Sequence, residues 1–241
     1  MILLVKSKAF KDFKYIGDPI NAVKIFNDLK ADELFFLDIT ATKENRTISL
    51  ELVRTIGEEA HMPFAVGGGI KTIQQIRDLI HEGAERVVIN SSAGLNPDFI
   101  KEAADTFGCS TIVVCIDVKK DLWGKEKVWI NNATKAINYS PVEYALLMEK
   151  NGAGEIVIQS VSDDGMMKGY NIGLIRKISD AVTIPVIALG GAGNLLHMKE
   201  VFAKAYPNGL AAGSMFVYQG TKQGVLINYP DNPNINLYSG N

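Results

Sequence analysis

The feature that most constrains the fold of this chain is an internal repeat with an offset of 122 residues. The offset places Glu33 on Glu155 and the pair Gly68-Gly69 on the pair Gly190-Gly191. In each half the matched positions follow one order: a strand, a helix, a second strand and two glycines. Two halves of this kind close readily into an eight-stranded β/α barrel and fit poorly into an open sheet.

Seven near-continuous apolar runs alternate with segments of helical pattern, which predicts parallel strands buried on both faces. The runs are residues 33–39, 63–66, 86–90, 111–117, 155–161, 184–189 and 209–213. A doubly wound sheet would also fit the alternation. The dinucleotide-binding fingerprint fails, however, because Leu196 stands at its last glycine position after Gly191 and Gly193. We therefore predict an α/β fold, a (β/α)₈ barrel, with residues 1–241 forming a single domain.

Composition excludes several classes of partner and cofactor. The 241 residues carry a formal net charge of −2 and a pI near 6.0, which argues against nucleic acid or a membrane surface as the main partner. The sequence has no apolar run of the ~18–20 residues that span a bilayer, and no signal-peptide pattern. Cys109 and Cys115 lack the spacing of metal ligands. We expect a cytoplasmic protein with no metal and no cofactor.

Glycine clusters follow the predicted strands at their carboxyl ends, where barrel enzymes carry their active sites. Each cluster is followed about one βα unit later by a serine, and this pattern predicts two phosphate sites. One site comprises Gly68, Gly69, Asn90 and Ser91, and the other comprises Gly190, Gly191, Gly193, Gly213 and Ser214. Tight turns would also explain the glycines. Their duplication in both halves favours a phosphorylated small-molecule substrate with a phosphate at each end.

Three aspartates are candidates for the predicted site. Asp117 ends an apolar run, where burial would tune its pKa for general acid/base catalysis; capping of the next loop is the alternative. Asp38 is similarly placed, but two threonines follow it closely, so a structural hydrogen-bonding role fits it equally well. The residue types of Asp164 and Gly165 indicate a turn after the fifth predicted strand. Their position after a barrel strand also makes them candidate substrate-site residues.

Several motifs together resemble the cyclase subunit of imidazole glycerol phosphate synthase, from Lys6 to about Phe216. They are residues 37–41, 63–70, 116–117, 152–156, 164–165, 168–170 and 190–193. The resemblance implies a lyase/cyclase that takes ammonia from a partner glutaminase to split and cyclise a bis-phosphorylated ribonucleotide of histidine biosynthesis. It also implies that Asp117 is one of two catalytic aspartates and that Lys6 lies in a mobile loop over the substrate.

The same resemblance assigns a role to three charged residues at the starts of strands. Glu33, Arg86 and Glu155 would lie at the opposite end of the barrel, where ionisable groups are costly unless they are paired. The matching positions of the family form a charged gate through which ammonia enters. A ring of salt bridges without a transport role is the alternative. The repeat, which pairs Glu33 with Glu155, favours the gate.

The start of the chain departs from the family pattern. The first barrel strand of the family, with its first catalytic aspartate, would precede Met1. Residues 2–5 are a rival first strand, which would be short and would carry no acid. We expect a shortened version of a longer product, with unpaired edges on the strands at residues 33–39 and 209–213.

Two substitutions leave the substrate open. Leu189 and Met166 stand where the family usually has hydroxyl residues, and the loss of hydroxyls implies a different substrate. One alternative is a branch of the family that serves acetamidino or amidation modification of surface sugars with a partner amidotransferase. Another is a barrel without catalytic activity that only binds and stimulates a glutaminase.

Overall fold

The computed structural model describes residues 3–220 and 223–230. In this part of the chain the strands are β1 (Leu4–Lys8), β2 (Lys11–Gly17), β3 (Leu34–Leu37), β4 (Phe64–Gly67), β5 (Arg86–Ile89), β6 (Ile112–Lys120), β7 (Glu126–Ile130), β8 (Lys135–Ala136), β9 (Glu155–Ser160), β10 (Val186–Leu189), β11 (Gly209–Leu210), β12 (Tyr218–Gln219) and β13 (Gly224–Val225). The helices are α1 (Pro19–Asp28), α2 (Leu50–Glu59), α3 (Ile73–His81), α4 (Ser91–Leu95), α5 (Asp98–Phe107), α6 (Pro141–Lys150), α7 (Ile172–Ser179), α8 (Leu195–Ala205) and α9 (Ser214–Val217), with a 3₁₀ turn at Cys109–Thr111. None of these helices combines the length and apolar character needed to cross a bilayer.

Seven of the described strands run parallel in one sheet, in the order β11-β10-β9-β6-β5-β4-β3. Helices alternate with these strands along the chain, and their apolar faces pack on the outside of the sheet to form the main core. Because side chains alternate across a strand, a second and smaller apolar cluster lies on the inner face. The predicted α/β barrel architecture with alternating parallel strands and helices is confirmed.

The sheet has two edges, β3 and β11, and no described strand lies between them. The expected open edges are therefore confirmed for residues 3–220 and 223–230. The alternative prediction, that residues 2–5 form the first barrel strand, is wrong for the described residues of that range. The residues from Leu4 onward belong to β1, which pairs only with β2 in a separate antiparallel hairpin.

Tyr229 spans part of the space between the two edges. Its hydroxyl donates a 2.5 Å hydrogen bond to Oδ2 of Asp32, which lies just before β3. Its ring packs on the ring of Phe216 in α9, at a centroid distance of 5.0 Å. One side chain therefore connects the segment after β11 with the segment before β3, although no strand does so in the described part.

The strand β6 is longer than the predicted run at residues 111–117. Its first half pairs in parallel with β5 and β9, and its second half pairs with β7 in an antiparallel hairpin. Asp117 lies where the two modes of pairing meet, opposite Gln159 on one side and Trp129 on the other. Pairing on both sides holds the backbone of Asp117 at a defined place beside the barrel interior.

Candidate functional site

A cavity of about 2560 Å³ runs through the inside of the sheet. Glu33 lines one end of it, and Asp117 and Asp164 line the end at which the parallel strands finish. Phe35 and Phe36, which point to opposite faces of β3, both contribute to its wall. This is possible because no strand of the described residues separates the interior from the helical layer beside β3.

Asp117 is the most perturbed carboxyl group of this cavity. Its side chain points inward from β6, and the residue is only 5% exposed. Burial raises its pKa to about 7, the charge of Asp164 adds to the shift, and hydrogen bonds from the Cys115 thiol and the Asn90 amide oppose it. A carboxyl group that titrates near pH 7 can both accept and donate a proton, which is what general acid/base catalysis requires.

Asp164 lies beside Asp117, in the turn after β9. The Ser7 hydroxyl of β1 donates to its Oδ2 at 3.2 Å, and the Gln159 amide donates to its Oδ1 at 3.4 Å. Burial raises the pKa of Asp164, and the charge of Lys6 opposes that shift. Gln159 was not among the site residues predicted from the sequence, although its place at the end of a predicted strand and two residues after Val157 puts it on the inner face.

Lys6 lies in strand β1, in the hairpin β1–β2 that precedes α1. Its mobility over the substrate stays a prediction. Burial lowers the pKa of its ammonium group, and Asp164 opposes that effect. The ammonium group lies against Gly213, where an added Cβ would come within 2.0 Å of Nζ. A side chain at position 213 would therefore displace the end of the Lys6 side chain. The role of both residues in substrate binding stays a prediction.

The paired glycines make the same contact in both halves of the repeat. A Cβ on Gly68 would lie 2.7 Å from the carbonyl oxygen of Asp38, and one on Gly190 would lie 2.9 Å from that of Ser160. Both glycines have a positive φ, +128° and +94°. A Cβ on the next glycine, Gly69 or Gly191, would also lie within 2.0 Å of a backbone carbonyl oxygen. Close backbone packing therefore accounts for these glycines, and phosphate binding stays a prediction.

The serines predicted for the two phosphate sites begin short helices after corresponding strands of the two halves, although the offset of 122 residues places Ser92 rather than Ser91 on Ser214. Ser91 begins α4 after β5, and Ser214 begins α9 after β11; neither helix has a side-chain cap. The Ser91 hydroxyl accepts from the backbone of Asn131 at 3.0 Å, and the Asn90 amide donates to the backbone carbonyl of Cys115 at 3.0 Å. The two predicted sites thus follow corresponding strands of the two halves.

Two further glycines of the predicted site are also packed closely against backbone atoms. A Cβ on Gly165 would lie 2.0 Å from the carbonyl oxygen of Ser7, and one on Gly193 would lie 2.3 Å from that of Met167. The first contact lets the hairpin β1–β2 rest on the turn that carries Asp164. Because both contacts are to backbone atoms, neither position has room for a side chain.

At the other end of the cavity, Arg86 joins the two glutamates of the predicted gate. Its Nη1 lies 3.0 Å from Oε2 of Glu155, and its Nη2 donates to Oε1 of Glu33. Burial raises the pKa of both glutamates, and the charge of Arg86 opposes that shift. The second oxygen of Glu155, Oε1, is buried and has no hydrogen-bond partner among the described residues.

Asp38 has the structural role that was one of its two alternatives. Its Oδ1 accepts from the backbone of Thr40 at 3.0 Å and of Ala41 at 3.1 Å, and its Oδ2 pairs with Arg46 at 2.5 Å. Burial works to raise its pKa, but the hydrogen bonds from Arg46 and Thr40 outweigh burial and lower it. Asp38 therefore stays ionised and caps its loop.

Comparison with known proteins decides the family. The model of the family described as "Histidine biosynthesis protein" matches residues 1–222. The chain belongs to this family. Among its relatives, the "Imidazole glycerol phosphate synthase subunit HisF" of Oceanobacillus iheyensis is 42% identical over 97% of this chain and 92% of its own length. The protein of the same name from Clostridium botulinum is 41% identical over 94% and 90%.

A relative from Pseudomonas aeruginosa carries the name "Putative imidazole glycerol phosphate synthase subunit hisF2". It is 41% identical over 95% of this chain and 91% of its own length. Members of the histidine biosynthesis protein family with either name are thus about equally similar to this chain. Within its described residues, this member has no cluster of three His, Cys, Asp or Glu side chains that could hold a metal ion.

Proposed function

We propose that this chain is the ammonia-using cyclase subunit of a glutamine amidotransferase complex, acting on a bis-phosphorylated ribonucleotide of histidine biosynthesis. A lyase/cyclase of this type needs a nitrogen source, a protected route for it, and acid/base groups where it reacts. The partner that would supply the ammonia is a glutaminase subunit, docked at the end of the barrel that carries Glu33, Arg86 and Glu155.

The observation that carries the proposal is the interior cavity, which is lined by Glu33 at one end and by Asp117 and Asp164 at the other. Glu155 and Gln159 are four residues apart on the inner face of β9, so the passage is about 13 Å long at this wall. Val88, Cys115 and Val157 form its apolar lining. Neutral ammonia can cross such a lining, whereas an ammonium ion would lose its hydration there at high cost.

The charged residues suit the entrance of that route. One arginine faces two glutamates, and a buried oxygen of Glu155 has no donor in the described part of the chain. That oxygen can accept an N–H from an incoming ammonium ion or ammonia molecule. Transfer of the ammonium proton to the Glu155 carboxylate or to solvent at this entrance would deliver the neutral molecule that the apolar lining can pass.

At the other end, Asp117 would act as the general acid/base for ring closure, and Asp164 and Lys6 would contact the substrate. The two phosphate groups would bind at Gly68, Gly69, Asn90 and Ser91 and at Gly190, Gly191, Gly193, Gly213 and Ser214. The support for two phosphate sites is the repeat, since the short helices α4 and α9 follow the corresponding strands β5 and β11 of the two halves. Gly165 would hold the turn of Asp164 in place.

Growth of a histidine auxotroph tests this function. A bacterial strain that lacks its own cyclase subunit should grow without histidine when it expresses this chain, and should not grow when it expresses the Asp117→Asn variant. Absence of growth with the wild-type chain, when the folded protein accumulates and glutamine hydrolysis by the glutaminase still increases, would instead indicate a barrel that only stimulates its partner.

A second candidate function rests on the wall of the cavity near the substrate. Leu189 of β10 contributes an apolar side chain to that wall, and Met166 is exposed in the turn after Asp164. Both stand where the resemblance implied hydroxyl groups. An ammonia-using relative that serves amidino modification of surface sugars would not need those hydroxyls. A chain that fails in the histidine auxotroph but restores such a modification in a strain lacking it would support this candidate.

The gate makes a separate prediction about the source of nitrogen. Charge reversal at Glu155 (Glu155→Lys) should reduce glutamine-dependent turnover at least about tenfold and leave turnover with saturating ammonium salts much less affected. The reason is that Glu155 lies remote from the predicted substrate site, at the entrance of the passage. The comparison of the two nitrogen sources by steady-state kinetics is the measurement.

Asp105→Lys is the matched control for the gate variant, because Asp105 forms an exposed ion pair with Lys101 on α5 and lies outside the cavity. This variant should leave both activities unchanged. Equal losses with glutamine and with ammonium in Glu155→Lys would show that the charged residues are structural only.

A further inference from the structure

A chain of hydrogen bonds through a cysteine connects the buried Asp117 with the partly buried Asp164. The Cys115 thiol lies 3.7 Å from Oδ1 of Asp117 and 3.9 Å from Oε1 of Gln159. The amide nitrogen of the same Gln159 lies 3.4 Å from Oδ1 of Asp164. Two side chains, those of Cys115 and Gln159, therefore link the two acids. Cys115, Asp117 and Gln159 are all buried.

This thiol has one proton and two acceptors. A thiol is a weak donor, and a charged acceptor competes for its proton better than a neutral amide oxygen does. When Asp117 is ionised, the S–H group should point at Oδ1. When Asp117 is protonated, its own O–H can point at the sulfur, and the S–H group is then free to turn to Oε1 of Gln159.

The orientation of Gln159 depends on the same thiol. An amide group presents its oxygen on one side and its nitrogen on the other, so Oε1 towards Cys115 directs the nitrogen towards Asp164. Loss of the thiol would remove the donor that holds Oε1 on that side. The amide could then rotate, and Asp164 would lose one of its two side-chain donors.

We propose that Cys115 is a positioning residue that couples the protonation of Asp117 to the hydrogen bonding of Asp164 by rotating its S–H group between Asp117 and Gln159. No bond to sulfur forms or breaks, and the thiol keeps its proton throughout. The proposal rests on the proposed function only for the statement that the coupled acids serve catalysis.

The other ionisable groups near the thiol leave it free to act in this way. Burial and the neighbouring Asp117 raise the pKa of Cys115 well above its ordinary value, so the thiol stays protonated while Asp117 titrates. Tyr144 of α6 also interacts with Cys115, and burial raises the pKa of its phenol. Lys6 acts on the network through the carboxylate of Asp164. The pH response of the thiol should therefore follow Asp117 and Asp164.

Infrared spectroscopy of the purified chain tests the coupling without substrate. In a Cys109→Ala background, Cys115 is the single thiol, and its S–H stretching band should shift as the pH crosses the Asp117 midpoint. Asp117→Asn should abolish the shift. Cys109 is exposed and distant in the fold, so Cys109→Ala alone should leave the Asp117 midpoint unchanged and serves as the control.

Two substitutions at Cys115 separate hydrogen bonding from packing. Cys115→Ala removes the donor and should raise the Asp117 midpoint by roughly 0.5–1 pH unit, as measured from its carboxyl band. Cys115→Ser keeps a donor of similar size and should hold the midpoint at or below that of the wild type. A band that does not move across the titration, or an unchanged midpoint in Cys115→Ala, would overturn the proposal.

These readouts do not depend on turnover, so the two proposals fail separately. An S–H band that follows Asp117 in a chain without cyclase activity would leave the coupling intact and remove the proposed function. A chain that cyclises its substrate while the S–H band stays fixed would support the proposed function and overturn the coupling.

Discussion

Replacement of Asp117 by asparagine is expected to reduce cyclase turnover by about 10²–10⁴-fold, the usual contribution of a general acid or base. Asparagine keeps the shape of the side chain and can still hydrogen-bond to Cys115 and Asn90, but it cannot transfer a proton. The loss should appear with both glutamine and ammonium salts, because Asp117 acts after ammonia has arrived. Steady-state kinetics with each nitrogen source is the measurement.

The matched control is Asp38→Asn, which changes a carboxylate at the same end of another barrel strand, β3. Asp38 caps its loop and pairs with Arg46, so this change should lower stability and leave turnover within a few fold of the wild type. Near-normal turnover of a folded Asp117→Asn protein would assign Asp117 a structural role instead.

Asp117→Asn should also stabilise the fold at alkaline pH. Burial raises the pKa of Asp117 from 3.8 to about 7, so between these values the native state holds a proton that the unfolded chain has released. The unfolding free energy contributed by this group therefore falls as the pH rises from about 4 to 7 and stays low above 7. Asp117→Asn removes that penalty, and its melting temperature should exceed that of the wild type at pH 8 but not at pH 4. A lower melting temperature at pH 8 would contradict this expectation.

Addition of an eighth strand is expected to raise the melting temperature by about 5–10 °C, which for a chain of this size corresponds to a few kcal/mol. The strand would lie between β3 and β11, whose outer edges have no described strand partner. It would pair with both edges and bury apolar side chains against Leu34 and Leu210, which line the open cavity. Thermal denaturation followed by circular dichroism is the measurement.

The position of β1 indicates how to supply that strand. Lys6 of β1 lies against Gly213, just after β11, and Ser7 contacts Asp164, so β1 lies at the carboxyl ends of the barrel strands. A fused segment of about thirteen residues upstream of Met1 could therefore run parallel to its neighbours and end at this face. An acid at the end of that segment should also raise turnover, since it would stand beside Asp117 as a second carboxyl group.

A segment of equal length with two prolines in the apolar stretch is the control for the added strand, because proline cannot donate to a strand ladder. It should leave the melting temperature unchanged. If the apolar segment also has no effect, the space between β3 and β11 does not accept a strand, and Tyr229 with its neighbours closes it sufficiently.

Much of the site could be located from the sequence because barrel geometry places strand ends together. The apolar runs predicted seven parallel strands, and the repeat predicted that Gly68 and Gly190 occupy equivalent places. The structure gives both glycines the same contact with a carbonyl oxygen of the preceding barrel strand. The end of an apolar run likewise sufficed to place Asp117 at the carboxyl end of its strand, beside the cavity.

Other features could be decided only by the tertiary structure. The alternatives for Asp38 were equal in the sequence, and the outcome depended on Arg46, which the fold brings to its carboxylate. The resemblance placed Lys6 in a loop over the substrate, and the tertiary structure forms this segment as an antiparallel hairpin of β1 and β2, separate from the main sheet. The bridge from Asp117 to Asp164 needs the register of β6 against β9, which sets Gln159 beside Asp117. Periodicity and local spacing determine which face a residue occupies, but the partner across the barrel depends on the pairing of strands that are far apart in the chain.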